Sequence, residues 1–134
     1  MIPFQKVAVH SFIKKDGKYL VLHRSSLNDF KPNEWDTPGG SVEFGEDHIK
    51  ALEREVLEET TLKVKVIKPL YVYSFMSSSE RHQFQIIFEC EYLDGEVKLN
   101  SEEHDEYLWV STDEMGDLNK IAFLDSFYNE VLKN

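Results

Sequence analysis

Alternating hydrophobic and polar positions predict strands at the start of the chain. Residues 4–13 alternate in part, and residues 19–23 (YLVLH) form a short apolar run. Between them lies Asp16-Gly17, a dipeptide that favours a tight hairpin turn. We therefore expect the chain to begin with a β-hairpin.

Short extended pieces are expected to follow a polar loop at residues 25–34. Residues 35–37 (WDT) should be extended, because the residue before a proline is pushed out of the helical region. We read Pro38-Gly39-Gly40 as a sharp turn and residues 41–44 (SVEF) as a further short strand.

Three more strands are predicted in the second half of the chain. Residues 62–75 are rich in β-branched and aromatic residues, and residues 82–92 repeat this pattern before a turn at Asp94-Gly95. Residues 107–110 (YLWV) resemble a short buried strand.

Two segments have helical periodicity. Ile49, Leu52 and Val56 recur on one side of residues 47–60, and a similar spacing covers residues 119–132. The predicted order is β-β-β-α-β-β-β-α, which favours a mixed sheet flanked by helices, in the α+β or α/β range.

The first of these helices carries three crowded carboxylates. At about 100° per residue, Glu55, Glu58 and Glu59 fall within an arc about 100° wide beside the apolar stripe. Like charges at this spacing repel by about 0.2–0.5 kcal/mol per pair, and Arg54 is the one counter-charge close by. A solvated acidic face is one interpretation. A site for a hard divalent cation, which prefers oxygen ligands, is the other.

Composition narrows the class of protein. The chain has 134 residues, with 41% hydrophobic and 30% charged content, enough for one domain over residues 1–134. Residues 1–12 lack a signal-peptide pattern, no apolar run is long enough to span a membrane, and the single Cys90 excludes an intrachain disulfide. We expect a cytoplasmic protein without a membrane partner.

The net charge of −10 argues against a nucleic-acid polymer as partner. It does not exclude a phosphate-bearing small molecule, because a bound divalent cation inverts the local charge of an acidic site.

The wider spacing resembles a known signature. From Gly40 the chain reads Gly, five residues, Glu46, seven residues, Arg54-Glu55-Val56-Leu57-Glu58-Glu59, one residue, Thr61 and Leu62. This is similar to the box of the Nudix hydrolases, G-x5-E-x7-R-E-U-x-E-E-x-G-U, where U is a bulky aliphatic residue. Every specified position matches except the last glycine, which is Thr61 here. "WDTPGG" before the box and "EHDEYLWV" after it extend the resemblance over most of the chain.

The resemblance implies a Nudix fold, an α+β architecture in which a mixed sheet is sandwiched between helices (α/β/α) and the box forms a loop–helix–loop. It also implies Mg²⁺ (or Mn²⁺) and hydrolysis of a diphosphate linkage in a nucleoside diphosphate joined to another group. By position, metal binding is implied for Glu55, Glu58, Glu59 and the carbonyl of Gly40. Arg54 would orient a box glutamate, and Glu46 would support the start of the helix.

The resemblance leaves the general base open between Glu55, Glu59 and a glutamate from a later loop. Glu103, six residues before Trp109, has the spacing of a fourth carboxylate found in MutT-type members. Its rivals are Glu102 and Glu106, and an exposed acidic loop is the alternative. His104 in the same loop is a weaker candidate for an assisting role.

Three residues are candidates for binding substrate. Arg24, at a strand end, suits a phosphate because its guanidinium donates paired hydrogen bonds. Trp35 could stack near the substrate or pack beneath the box helix, and Asn119 could contact a base or cap the last helix. Candidates for a base pocket, with the core as the alternative, are the phenylalanines Phe4, Phe75 and Phe84.

The substrate is inferred by elimination. The positions after the box that distinguish ADP-ribose and dinucleoside-polyphosphate members fall on "SSSE", which has neither marker residue. The expectation is a nucleoside triphosphate cleaved to a monophosphate and pyrophosphate, with ADP-ribose or another nucleotide sugar as the alternative. A non-catalytic nucleotide sensor is the alternative of another class, and a homodimer is left open.

Thr61 is the departure from the box. A β-branched residue tolerates the left-handed conformation of a helix C-cap poorly, so we expect the helix to end with a different geometry. The carboxylates lie at least two residues earlier and should be unaffected.

Overall fold

The structure is a computed structural model and describes residues 2–133. Within that range the chain forms one seven-stranded sheet and three helices. The strands are β1 (Phe4–Lys15), β2 (Lys18–Arg24), β3 (Trp35–Asp36), β4 (Gly39–Ser41), β5 (Lys63–Met76), β6 (Arg81–Asp94) and β7 (His104–Val110). The helices are α1 (His48–Thr60), α2 (Thr112–Met115) and α3 (Ala122–Phe127), and α3 continues into a π-helical turn at Tyr128–Leu132.

Strand β1 organises the sheet. Along one edge it pairs in parallel with β6, and along the other it pairs antiparallel first with β4 and then, at its end, with β2. Strand β2 also pairs with β3 and β7, and β6 pairs with β5, all antiparallel. The edge of β1 is thus shared by β4 and β2, and both strands contribute to the site described below.

Helices cover both faces of the sheet. Val9 and Ile13 of β1 belong to one apolar cluster with Leu52 and Val56 of α1. Phe12, their neighbour on β1, belongs to a second cluster with Phe123, Leu124 and Phe127 of α3. Alternate residues of one strand thus feed two cores, as the two-residue period of a strand requires. This confirms the predicted mixed sheet between helical layers.

The carboxylate-bearing helix is confirmed. Asp47 is its N-cap and accepts hydrogen bonds from the backbone N–H groups of Ile49 and Lys50, both at 3.1 Å. Leu52 and Val56 are buried as predicted, but Ile49 is 39% exposed, and Ala51 takes its place in the core.

The glycines after Pro38 form a strand and not a sharp turn. Gly39 and Gly40 pair with His10 and Val9 of β1, so β4 begins earlier than the predicted strand at residues 41–44 and ends at Ser41. A Cβ on Gly39 would overlap the backbone and the ring of His10, so close pairing with β1 excludes a side chain there.

The last helix begins later in the chain than the pattern predicted. Helix α3 starts at Ala122 after Ile121, and the predicted cap at Asn119 is wrong. The short helix α2 was not predicted, although Ser111 and Glu114 form a reciprocal capping box at its start.

The end of α1 contradicts the expectation for Thr61. Thr61 adopts the left-handed conformation (φ 64°, ψ 6°), and its N–H donates to the carbonyl of Leu57 at 2.9 Å. Its hydroxyl donates to the carbonyl of Glu96 at 2.5 Å. The hydroxyl of the preceding Thr60 donates to the carbonyl of Val56 and accepts the N–H of Leu62. These side-chain bonds stabilise a cap that glycine would adopt without strain.

The single cysteine and the helices bear on two further expectations. Cys90 is 1% exposed within the core, as expected for a small buried residue, and burial raises the pKa of its thiol to about 12. Among the helices of residues 2–133, none combines the length and apolar character that a membrane crossing needs.

Candidate active site

A cleft of about 590 Å³ lies between α1, β4 and the start of β7, and we call it the carboxylate cleft. Its lining includes Gly39 and Gly40 of β4, Glu55 and Glu59 of α1, and Glu103 before β7. Three of the predicted carboxylates, distant in sequence, therefore meet in one place.

Glu59 is the most enclosed of these carboxylates. Its Oε1 accepts the backbone N–H of Gly39 at 2.8 Å. The pKa of the Glu59 carboxyl is raised to about 9, mainly by burial and in smaller part by the negative charges of Asp36, Glu55 and Glu103, while the Gly39 hydrogen bond opposes the rise. Without a cation, this group keeps its proton at neutral pH.

Glu55 lies against the backbone of β4. A Cβ built on Gly40 would come within 2.5 Å of Glu55 Oε2, so only glycine allows this carboxylate its position. Burial raises the pKa of the Glu55 carboxyl, although the guanidinium of Arg54, which donates to Oε1 at 2.9 Å, opposes that rise.

Arg54 connects the helix to the loop before it. Its Nε and Nη2 donate to the two oxygens of Glu46 at 2.9 and 3.0 Å, in the paired geometry that suits a guanidinium. These bonds lower the pKa of Glu46 and raise that of Arg54. Arg54 therefore holds Glu46 and Glu55 together. Glu58 lies farther out, with its side chain 59% exposed and 3.4 Å from Arg54 Nη1.

The loop before β7 completes the cleft. One ligand atom each from Glu59, Glu103 and His104 lie within 4.8 Å of one another. Of the two rivals to Glu103, Glu102 also lines the cleft, whereas Glu106 lies on β7 opposite His23 of β2 and is not among the lining residues. This arrangement favours Glu103 as the fourth carboxylate.

Asp36 is a residue that the sequence analysis missed. It is 5% exposed and accepts hydrogen bonds from Arg24 Nη1 at 2.7 Å and from His104 Nε2 at 3.1 Å. The available signal was its position between Trp35 and Thr37, away from the polar loop, where an isolated acidic residue is a candidate for a buried partner. Asp36 links β2 and β3 to the loop that carries Glu103.

Arg24 lies in the cleft wall, but its guanidinium is already engaged. Besides Asp36, it donates from Nε to the carbonyl of Phe30 at 2.8 Å and from Nη2 to Asn28 at 2.9 Å. In this conformation Arg24 orders the loop between β2 and β3. A contact with phosphate would require it to exchange one of these bonds.

Two predicted substrate contacts lie elsewhere. Trp35 packs with the α3 cluster and against the ring of His23, with the centroids 5.0 Å apart, and not beneath the box helix. Asn119 is exposed, and its carbonyl accepts the N–H of Trp35 at 2.8 Å. Neither residue lines the carboxylate cleft, so the geometry gives their predicted roles no support.

A second cavity of about 420 Å³ adjoins the first, and we call it the aromatic cavity. Arg24 lines both spaces, and its partner Asp36 lines the second. Its walls include Phe30, Tyr73, Phe75, Phe123, His10 and Gln85. Of the phenylalanines predicted for a base pocket, Phe75 lines this cavity, whereas Phe4 and Phe84 do not.

The residues of the carboxylate cleft fit a divalent cation. The donors are carboxylate oxygens together with a glycine backbone, the chemistry that Mg²⁺ and similar hard ions prefer. Burial, with a smaller contribution from neighbouring carboxylates, raises the pKa of Glu59, and a bound cation would offset both effects by favouring the charged carboxylate.

Comparisons with known proteins identify the family. The sequence model of the family described as NUDIX domain matches residues 4–132. An ADP-ribose pyrophosphatase from Methanocaldococcus jannaschii is 35% identical over 129 residues, which cover 96% of this chain and 71% of that protein. The nucleoside triphosphatase NudI from Escherichia coli is 31% identical over 121 residues, covering 83% of this chain and 85% of the relative.

Solved structures show the same fold. The crystal structure of a MutT protein from Methanosarcina mazei Go1 superimposes with a TM-score of 0.82 at 30% identity, covering 96% of this chain and 92% of that one. The solution structure of the Escherichia coli ORF135 protein has a TM-score of 0.78 at 22% identity, covering 97% and 90% of the two chains. With Gly40, Glu55 and Glu59 of the box lining one cleft, the chain is a MutT-like member of the Nudix family, hydrolases that act on phosphoanhydride bonds.

Proposed function

We propose that this protein hydrolyses a nucleoside triphosphate to a nucleoside monophosphate and pyrophosphate, with Mg²⁺ (or Mn²⁺) as its cation. The observation that carries this proposal is the pairing of two spaces. One aromatic cavity of nucleoside size adjoins an open cleft lined by carboxylates, and Arg24 lines both. One nucleoside would fill the cavity while its phosphate tail extends along the cleft.

The cation is proposed to bind the carboxylates of Glu55, Glu59 and Glu103 and the carbonyl of Gly40, with Glu58 joining from the rim. Nudix hydrolases generally use divalent ions, and Glu59 and Glu103 of this set belong, with His104, to a group whose ligand atoms lie close enough together to hold one. When bound, such an ion neutralises phosphate charge and acidifies a water molecule.

The residues of the chain have separate tasks in this proposal. Arg54 fixes Glu55 through its bond to Oε1, and the N–H of Gly39 fixes Glu59. Unlike Glu55 and Glu59, Glu103 is exposed and makes no side-chain hydrogen bond among residues 2–133, so one of its oxygens would be free to accept a proton while the other binds the cation. Glu103 is therefore proposed as the general base.

The reaction balances without a further reactant. Water oxygen forms a bond to the α-phosphorus, and the bond from that phosphorus to the α–β bridging oxygen breaks. The bridging oxygen leaves with the electron pair as part of pyrophosphate. The proton of the water passes to Glu103 and then to solvent.

The decisive experiment is product analysis on the purified protein with Mg²⁺ and with EDTA. We expect Mg²⁺-dependent release of monophosphate and pyrophosphate in equal amounts from a nucleoside triphosphate. Glu59→Gln and Glu103→Gln should each lower turnover about 100-fold or more, as expected for loss of an essential catalytic group. Glu53→Gln is the matched control, because Glu53 is an exposed glutamate of the same helix and does not line the cleft.

ADP-ribose is the second candidate, supported by the 35% identical relative. Its hydrolysis would yield AMP and ribose 5-phosphate without pyrophosphate, so the same assay separates the two reactions. A nucleotide-sensing domain would bind one nucleotide and turn over none of the panel.

A further inference from the structure

The aromatic cavity contains a polar pair that the proposed reaction does not use. His10 of β1 and Gln85 of β6 both line it, and their side chains contact each other through His10 Nε2 and Gln85 Oε1. Gln85 lies between Ala8 of β1 and Tyr73 of β5 in the sheet register. The pair therefore occupies the middle of the sheet, on the face that α3 covers.

In this contact the Gln85 amide presents its oxygen to His10. A carbonyl oxygen only accepts hydrogen bonds, so His10 Nε2 must donate to it. The NH₂ group of Gln85 then points away from His10, and it has no hydrogen-bond partner among residues 2–133. The cavity thus contains an oriented donor that is free to bind a ligand.

His10 is itself firmly held. Its ring packs at a tilt of 33° against Phe123 with centroids 4.0 Å apart, and Gly39 of β4 lies so close that a Cβ there would meet Nδ1. Nδ1 is buried beside the backbone of Thr37 and makes no well-formed hydrogen bond within the described residues. Burial lowers the pKa of His10, which keeps the ring neutral. A neutral ring with Nε2 protonated is the form that orients Gln85.

The walls of the cavity suit a flat ring. Phe30, Tyr73, Phe75 and Phe123 present aromatic surface, and a volume of about 420 Å³ is enough for a base with its sugar. Stacking on aromatic side chains tolerates every base, because all bases have a π-face. Discrimination between bases must therefore come from polar groups such as Gln85.

We infer that Gln85 is a specificity-determining residue whose NH₂ group donates to an exocyclic carbonyl oxygen of the substrate's base, and that His10 is the residue that positions it. This inference rests on the proposed function, since it assumes that the aromatic cavity receives the base. Substrates whose base has a ring carbonyl are therefore the preferred class. Adenine, whose exocyclic group is an amine that donates, is disfavoured, and so is ADP-ribose.

The matched substrates ITP and ATP test the inference, because their bases differ at the 6-position, where one has a carbonyl and the other an amine. Leaving a buried donor unpaired costs about 1–3 kcal/mol, so wild-type kcat/KM for ITP should exceed that for ATP by roughly 5- to 150-fold. Equal or reversed values would overturn the inference.

Substitution of Gln85 should change the preference between ITP and ATP in a direction that the loss of a purely structural residue would not produce. Gln85→Glu replaces the donor by an oxygen that accepts, so the preference should shift towards ATP. Gln85→Met keeps the volume and should abolish the preference, which covers the case in which the glutamate variant fails to fold. Gln5→Glu is the matched control at an exposed position of β1, and it should keep the wild-type preference. A Gln85→Met protein that still prefers ITP would refute the assignment.

His10→Phe tests the positioning role. Phenylalanine keeps the ring on Phe123 but removes the bond to Gln85, so the ITP preference should fall mainly through a higher KM for ITP, with kcat retained. An unchanged ratio would contradict the role of His10. If no triphosphate is hydrolysed, titration of the protein with IMP and AMP still decides. Tighter binding of IMP supports the inference although the proposed reaction has failed, and equal binding refutes it.

Discussion

The backbone N–H of Gly39 donates to Oε1 of Glu59 at 2.8 Å, and this bond joins strand β4 to helix α1 at the centre of the carboxylate cleft. It occupies one lone pair of a carboxylate that also lies beside Glu103 and His104. Glu59 is thereby held in place before any cation arrives. The position of this carboxylate is set by the fold, and its protonation is set by burial and by the surrounding negative charge.

The raised pKa of Glu59 predicts that cation binding competes with a proton. Because the metal-free carboxyl has a pKa of about 9, Mg²⁺ must displace its proton at neutral pH. The affinity for Mg²⁺ should therefore rise as the pH increases from 7 to about 9. Calorimetric titrations in two buffers of different ionisation enthalpy should show close to one proton released per ion at pH 7. Glu59→Gln should release none, and wild-type binding without proton release would contradict the assignment.

The same shift predicts how stability depends on pH in the absence of metal. The pKa of Glu59 is about 9 in the folded chain against 4.5 for the ordinary group, so the folded state binds more protons between these values. The free energy of unfolding should then fall as the pH rises from about 4.5 to 9. Urea titrations in EDTA would show this slope, and Mg²⁺ should reduce it. Glu59→Gln should lose this part of the slope, and an identical slope in that variant would contradict the prediction.

Gly40→Ala should separate the geometry of the cleft from the stability of the fold. The added Cβ would meet Oε2 of Glu55 at 2.5 Å and displace that carboxylate. We expect hydrolysis to fall by roughly 100-fold, the scale on which small misplacements in active sites act. Gly45→Ala is the matched control, because a Cβ there meets nothing within 4 Å but its φ of 80° disfavours alanine. That variant should lose stability and keep its turnover, and a comparable loss of turnover in both would contradict the role of Gly40.

Asp36 should be one of the most sensitive polar positions in the chain. It is buried, with Arg24 and His104 as its partners, and removing one member of a buried pair leaves an uncompensated charge at a cost of about 3–5 kcal/mol. Asp36→Ala should therefore lower the free energy of unfolding by that amount in urea titrations. The control is Asp105→Ala, which breaks an exposed pair with His23 and should cost less than about 1 kcal/mol. Similar losses in the two variants would contradict the buried network.

Local signals predicted α1 but could not predict Asp36. The helix follows from neighbouring residues, since Asp47 caps its start and the apolar positions recur along one side. The bond between Asp36 and His104 joins residues that are 68 positions apart, and no periodic pattern records such a contact. The same holds for β4, where the pairing with β1 turned two glycines of an expected turn into a strand.

The last helix differs from its prediction in where it begins. The apolar spacing of residues 119–132 is helical, but it does not specify the first residue of the helix. Asn119 and Lys120 are held in extended positions beside Trp35, so α3 begins only at Ala122. A tertiary contact thus shortened a helix that the pattern alone would have extended.

Thr61 stands where the family signature has glycine, and substitutions there test what stabilises the end of α1. The left-handed backbone at φ 64° costs a non-glycine residue about 1–2 kcal/mol, and the bond from its hydroxyl to the carbonyl of Glu96 offsets part of that cost. Thr61→Val keeps the branched Cβ but removes the bond, so it should lower the free energy of unfolding by about 1 kcal/mol. Thr61→Gly loses the bond and also the strain, and we expect its stability to lie within about 0.5–1 kcal/mol of the parent. Turnover should stay unchanged in both variants, because Thr61 does not line the carboxylate cleft. A valine variant as stable as the parent would show that the hydroxyl does not support the cap.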